Sequence, residues 1–406
     1  MRKKISQIIL KNFLSKYGLL LLFFLLKLIT SLAFVWVHQN FYSKYTPDYL
    51  LIYEDALHLA NLFGDNFSYF WQIIIDKPVN SQEWHLATQP RAFFAAKIFS
   101  FPALFAFKNF WLLTFYTSIL TAWSLWSLAK ELRRLFPSTQ RASYIAFLFL
   151  PSLLFWSSAT SKEAILWTIL PWAFIHFWRI FEETKPIRKS FYFISLSFWI
   201  FLLWQIKYYY AFALILYIVS HTLLYFYEQH KRRKQLIFSL VSGLFVLFMA
   251  SNFHPNLHLD FLPKALYENH QLILQASSPE SIIYFNLQPT WVSMLTNTPQ
   301  GLWAGLFAPM PWEAHNFFTF LASVENCILF AYLLFAIGSL KKYTIPFSTS
   351  FFYAISLYIL LLAIFLGLSS PNMGAISRYK IGFFPFLWYI LLSFQTKKIE
   401  AKKTFL

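Results

Sequence analysis

Long apolar, aromatic-rich stretches recur along this chain, separated alternately by clusters of Lys and Arg and by loops that carry most of the Asp and Glu. A chain threaded repeatedly through a bilayer requires such alternation, because hydrocarbon offers no water to charged side chains. With 58% hydrophobic and 13% charged residues, too little polar surface exists to cover a water-soluble globule. The expected fold is an all-α polytopic membrane protein of about ten transmembrane helices. A hydrocarbon core about 30 Å thick takes roughly 17 to 25 apolar residues per helix. The candidate spans, several of them short, are residues 18–37, 110–128, 143–156, 164–181, 191–205, 211–227, 236–251, 318–340, 346–368 and 381–394. The first apolar run is too long for a secretory leader and no small-residue cleavage site follows it, so it reads as the first span.

Basic clusters fall at Arg2–Lys4 with Lys11 and Lys16, at Lys130, Arg133, Arg134 and Arg141, at Arg179, Lys185, Arg188 and Lys189, at 231–234, at Lys341 and Lys342, and at 397–403. Two spans separate each from the next, which by the positive-inside rule places both termini in the cytoplasm. The formal charge of +17 is then accounted for by anchors meeting anionic membrane lipids, and a nucleic-acid partner is not needed. Phe- and Lys-rich usage points to a bacterial inner (cytoplasmic) membrane. The single cysteine, Cys327, excludes a disulfide framework and a thiolate metal site, and reads as a small buried residue. No repeat or linker interrupts the chain, so 1–406 reads as one integral membrane domain.

The opposite, periplasmic face carries two long loops, about 38–108 and 252–316, and three short turns. Functional groups are expected there. In the first loop, Phe67–Ile75 and residues 92–107 are apolar but too short or too interrupted to span, and read as interfacial helices. The loop also holds Asp48, Glu54, Asp55, Asp65, Asp76 and Glu83, with Tyr53-Glu54-Asp55-Ala56 opening a helix-like run over 57–63. A carboxylate there can act as a general base, ligate a divalent metal such as Mg or Mn, or begin a helix where its charge suits the dipole. Asp55 stands out because His58 follows one helical turn later.

A second candidate is the turn running from Leu150-Pro151 through Trp156-Ser157-Ser158-Ala159-Thr160-Ser161 into Lys162-Glu163. Ionisable groups at that depth are costly and commonly functional, although Glu163 also suits a helix N-terminus. Arg91, Lys162, Lys207, Arg378 and Lys380 stand at outer span ends, against the positive-inside trend. Snorkelling to headgroups is one explanation and a lipid-linked phosphate the other, for which Arg offers bidentate donors and Lys a point charge. Lys207, a lone charge in Gln205-Ile206-Lys207-Tyr208-Tyr209-Tyr210, and Arg378, before the last span, are the favoured phosphate ligands. In the second loop, His254 and His258 with Asp260 have helical spacing, but Pro255 opposes a regular helix and no zincin-type Glu accompanies them. The Pro309-Met310-Pro311-Trp312-Glu313 run reads either as an acceptor pocket formed by Trp312, Glu313 and His58 or as an interfacial tryptophan anchor.

This layout resembles the GT-C superfamily of integral membrane glycosyltransferases. Tyr53-Glu54-Asp55-Ala56, the Pro151 to Ser158 run into Lys162-Glu163, and Arg378-Tyr379-Lys380 carry the resemblance. It implies transfer of a sugar from a polyprenyl-phosphate donor to a lipid, glycan or protein acceptor at the outer face. It also implies a catalytic role for Asp55, with Glu54 and Glu163 as further acids, and these first-loop acids as ligands of any metal. The chain departs from that pattern in lacking a plain Asp-x-Asp or Glu-x-Asp pair in the first loop and a soluble C-terminal domain. Two rivals differ in class. An O-antigen polymerase or ligase would lean on outer arginines and the late loop. A transporter or flippase of lipid-linked glycans would place ionisable residues, such as Glu325, His176, His221 and Lys27, within the bilayer.

Overall fold

The computed structural model describes residues 2–41, 47–75, 77–80, 82–230, 261–339 and 346–394. The chain is all-α and mostly helical. Its helices are α1 (Arg2–Phe41), α2 (Asp48–Asp65), α3 (Phe67–Ile75), α4 (Pro90–Phe105), α5 (Phe110–Leu135), α6 (Gln140–Leu148), α7 (Pro151–Trp156), α8 (Lys162–Glu182) and α9 (Pro186–His230). They continue with α10 (Phe261–Gln275), α11 (Trp291–Phe307), α12 (Phe317–Ser339), α13 (Thr349–Ser369), α14 (Met373–Tyr379) and α15 (Phe384–Ser393). Among the described residues six helices, α1, α5, α8, α9, α12 and α13, are long and apolar enough to cross a membrane, as in a polytopic membrane protein.

Where helices and expected spans differ, backbone chemistry gives the reason. The stretch 143–156 is two pieces, α6 and α7 of 9 and 6 residues, because Pro151 cannot continue a helix and instead opens the next at its first position. Neither piece is long enough to cross. The expected spans 191–205 and 211–227 run together in the 45-residue α9, interrupted at Lys207, whose φ of −150° and ψ of 82° are not helical. The stretch 381–394 is a 3₁₀ turn, Lys380–Gly382, followed by the 10-residue α15. The expected interfacial segments are helical as α3 and α4. The expected span 236–251, the His254, His258 and Asp260 group, Asp76, and the basic clusters at 231–234, 341–342 and 397–403 lie outside the described residues.

The chain forms two compact units, one of Met1–Arg134 with Ser143–Tyr208, the other of Leu135–Ala142 with Tyr209–Leu406. In the first, α2 packs on α3 and α4, and α1 on α7. Short hydroxyl side chains tie its long helices together: Ser31 Oγ lies 2.7 Å from Ser118 Oγ, Thr121 Oγ1 lies 3.2 Å from Thr168 Oγ1, and Ser124 donates to the Thr168 carbonyl at 2.9 Å. Without a hydrophobic drive in lipid, small residues and such cross-helix bonds are what hold apolar helices in register.

The second unit is built around α11 and α13, whose backbones meet directly. A Cβ added at Gly305 would collide with the Ala363 carbonyl, and one at Gly367 with the Gly301 carbonyl. The approach is thus closed to any other residue type. Asn372 caps α14 and donates to Ser277 at 2.9 Å and Ser281 at 2.8 Å, while Ile283 N–H bonds the Pro371 carbonyl at 2.7 Å. Gly367→Ala should cost at least about 1–3 kcal/mol of stability, since a backbone neighbour cannot yield. A lowered melting temperature in detergent would register it, and Gly338→Ala, whose added Cβ meets nothing, serves as the neutral control.

Candidate functional site

The acidic pair on α2 divides its labour. Asp55 is 1% exposed and accepts the His85 N–H on Oδ1 at 3.1 Å and the Leu86 N–H on Oδ2 at 2.9 Å. Burial pushes its carboxyl above the usual range, and those two N–H donors, with His85 and His58 nearby, pull it back. Its neighbour Glu54, 48% exposed, faces the His85 ring at 3.3 Å from Nε2. His58 stacks on Trp84 at a centroid distance of 4.2 Å and 14°. Trp84 and Leu86 turn inward while His85 between them faces water, so α2 pins the 82–89 segment down by both main chain and side chain. Among the described residues no group of three His, Cys, Asp or Glu side chains is placed to share a metal ion.

A second acidic group lies at the start of α8. Ser161 caps that helix by accepting the Ala164 N–H at 3.1 Å, which sets Glu163 in the first turn, fully buried. Its Oε1 takes a hydrogen bond from Lys207 Nζ at 2.7 Å. Lys207 is itself buried and sits where α9 loses its helical geometry. Next to it, the exposed Arg91 of α4 lays its guanidinium over the Tyr208 ring at 4.2 Å. The same guanidinium also hydrogen-bonds the Tyr208 side chain, which fixes the cation beside Lys207. Lys162 reaches Asp48 at 3.6 Å, a looser pair at the surface. The first unit therefore contains Asp55, Glu54, His58, Lys162, Glu163, Lys207 and Arg91.

The remaining candidates belong to the second unit. Lys380 is buried, donates to Asn326 Oδ1 and to the Ala308 carbonyl at 3.3 Å, and lies 4.5 Å from the Phe384 ring centroid. Asn326 in turn donates to the Pro309 carbonyl at 2.8 Å, so the pair braces the 308–313 turn. Glu313 accepts the Met310 N–H at 2.7 Å and closes its own 3₁₀ turn, whereas Trp312 is 74% exposed. Arg378 sits in the last turn of α14, half-buried.

Sequence reasoning did not single out His85, Asn326 or the cage around Lys27. Lys27 lies inside α1 and donates to oxygens of Leu154, Ser157 and Ser158. A lone lysine in an apolar run beside a hydroxyl-rich turn was its available signal. Compared with family models, with curated proteins and with solved structures, the chain gives no match in any of the three.

Two outcomes test this geometry without reference to activity. Removing one member of the buried pair, by Glu163→Gln or Lys207→Met, should destabilise by about 3–5 kcal/mol, and the double substitution should cost less than the sum. Thermal melts of the four proteins measure the coupling. Asp55→Asn offers one acceptor oxygen where two N–H groups need one each. Amide exchange at His85 and Leu86 should then accelerate about tenfold or more, for a loss of roughly 1–3 kcal/mol, as read by hydrogen exchange with mass spectrometry.

Proposed function

We propose that this chain is a GT-C-type membrane glycosyltransferase that moves a sugar from a polyprenyl-phosphate donor to a hydroxyl of a lipid, glycan or protein acceptor. In this reading it lies in a bacterial inner membrane, with about ten spans and its site on the periplasmic face. The observation that supports it most is the gathering of Arg91, Lys207 and Glu163, from three separate elements, within one compact unit that also carries the α2 acids.

The chemistry follows from those groups. The acceptor hydroxyl attacks the anomeric carbon, the bond from that carbon to the phosphate oxygen breaks, and the lipid phosphate leaves with the electron pair. Charge developing on that phosphate is met by the guanidinium of Arg91 and by Lys207, which stays paired with Glu163 as it approaches a phosphate oxygen. The hydroxyl proton passes to a carboxylate. Glu54 suits that role better than Asp55, because it is 48% exposed while both Asp55 oxygens already accept main-chain N–H groups.

Transport of a lipid-linked glycan is the second reading, favoured by one observation: buried charges coincide with a broken apolar helix at Lys207. One experiment separates them. Purified protein is incubated with a panel of radiolabelled polyprenyl-phosphate sugars and acceptor lipids, and the same panel is run in sealed vesicles. Transfer predicts a glycosidic product, a loss of about 10²-fold or more for Glu54→Gln, and a marked loss for Arg91→Ala. Flux across vesicles without any product would replace transfer by transport.

A further inference from the structure

We infer that the C-terminal end of α7 is a binding site for a monovalent cation of ammonium or potassium size, and that the Lys27 side chain is its built-in occupant. The site is independent of the glycosyltransferase reading. Lys27 Nζ lies 2.7 Å from the Ser157 carbonyl, 2.8 Å from Ser157 Oγ, 2.9 Å from the Leu154 carbonyl and 3.1 Å from Ser158 Oγ. All four partners are neutral oxygens. An ammonium has three N–H donors, so four oxygens surround it as they would a spherical ion rather than matching its donors one for one.

The cage presents acceptors only, which suit a cation or a hydrogen-bond donor and repel an anion. Ser157 Oγ directs its only hydrogen to the Leu153 carbonyl at 2.5 Å, and Ser158 Oγ directs its own to the Leu154 carbonyl at 2.7 Å. Both hydroxyls therefore turn lone pairs inward, beside two carbonyls that do the same. Lys27, Ser157 and Ser158 are fully buried, so water does not relieve the crowding of acceptors. The carbonyls belong to the end of a helix, where the backbone dipole is negative, and oxygens so arranged hold monovalent ions at broken membrane helices. A divalent ion is excluded by chemistry: it asks for carboxylates and for contacts of about 2.3–2.6 Å or less, and this cage has neither.

Pro151 explains why the oxygens are present at all, since it ends the preceding helix and leaves α7 only 6 residues long, with its carbonyls unpaired by a further turn. Lys27 enters from α1 and ties that end to the first span. The protein thereby holds the joint between α1 and α7 closed whatever the ionic composition of its surroundings.

The test removes the tether and supplies the ion. Lys27→Met is purified in full-length form in choline, sodium, potassium and ammonium chloride at equal ionic strength, and melted beside the wild type. The wild type should melt alike in all four. Lys27→Met should melt lower in choline, by on the order of 5 °C, and recover a saturable part of that loss in potassium or ammonium. Adding Ser157→Ala and Ser158→Ala should abolish the recovery. If Lys27→Met aggregates in choline, its monodisperse yield on size exclusion in potassium against choline reads the same rescue. A Lys27→Met protein as stable as wild type in choline, one equally impaired in every salt, or a rescue that survives loss of both serines would each overturn the assignment.

Discussion

A charge taken into hydrocarbon must find its counter-charge or its dipoles inside the protein, and that constraint organises the first unit. Two lysines inside apolar helices answer it in different ways. Lys207 meets a full carboxylate, Glu163, at 2.7 Å, while Lys27 meets only neutral oxygens. Each answer fixes a backbone irregularity. The first holds the break in α9 against the start of α8, and the second holds the end of α7 against α1. Apolar packing alone would not choose these positions, because lipid tails serve an apolar helix face as well as a neighbouring helix does. The ionic and hydrogen-bonded contacts give the register, and the hydroxyl seam of Ser31, Ser118, Thr121 and Thr168 follows it.

The same accounting extends to the basic clusters. Read as topology signals, Arg134 and Arg179 needed no partners. Both in fact converge on buried Glu131, from Arg134 Nη2 at 2.8 Å and Arg179 Nη2 at 2.7 Å, and Arg134 also grips Glu182 at 2.5 Å. Arginine's fork allows two carboxylates to share one guanidinium, so residues of the basic clusters also join α5 to α8. A lysine at 134 would lack the planar fork that meets Glu131 and Glu182 together. Arg188 and Lys189, further along the chain, remain exposed and fit the simple anchoring role.

Legibility in the sequence depended on whether a feature was local. The apolar runs of α1, α5, α8, α12 and α13 declared themselves by length and purity, and α3 and α4 as helices too short or too interrupted to span. Pro151 gave a visible reason for the α6 to α7 break, yet an uninterrupted apolar composition through 143–156 hid it behind the appearance of a span. Lys207 was legible as an outlier and as a divider of apolar segments. Its partner was not, because the Glu163 contact joins residues 44 positions apart and nothing in spacing encodes such a pairing. Asp55 shows the same limit in another form: its prominence in sequence was real, but its two oxygens serve main-chain groups of a segment about 30 residues later, which no motif announces.

What can be chemically useful in such a protein is whatever is buried but exchangeable. The Lys27 cage is not exchangeable, since four oxygens hold a tethered amine with no competing ligand of the right charge. The Glu163 and Lys207 pair is different in kind. Its lysine donates to Glu163 at 2.7 Å and is followed by Tyr208, over whose ring the exposed Arg91 stacks. Breaking that pair outright would strand the fully buried Glu163 carboxylate. We propose instead that an arriving anion adds to the pair and meets Arg91 as a second cation. In the reading proposed above, a lipid-linked phosphate joins this pair beside Arg91 and leaves Glu163 its counter-charge, so the fully buried carboxylate is never bare.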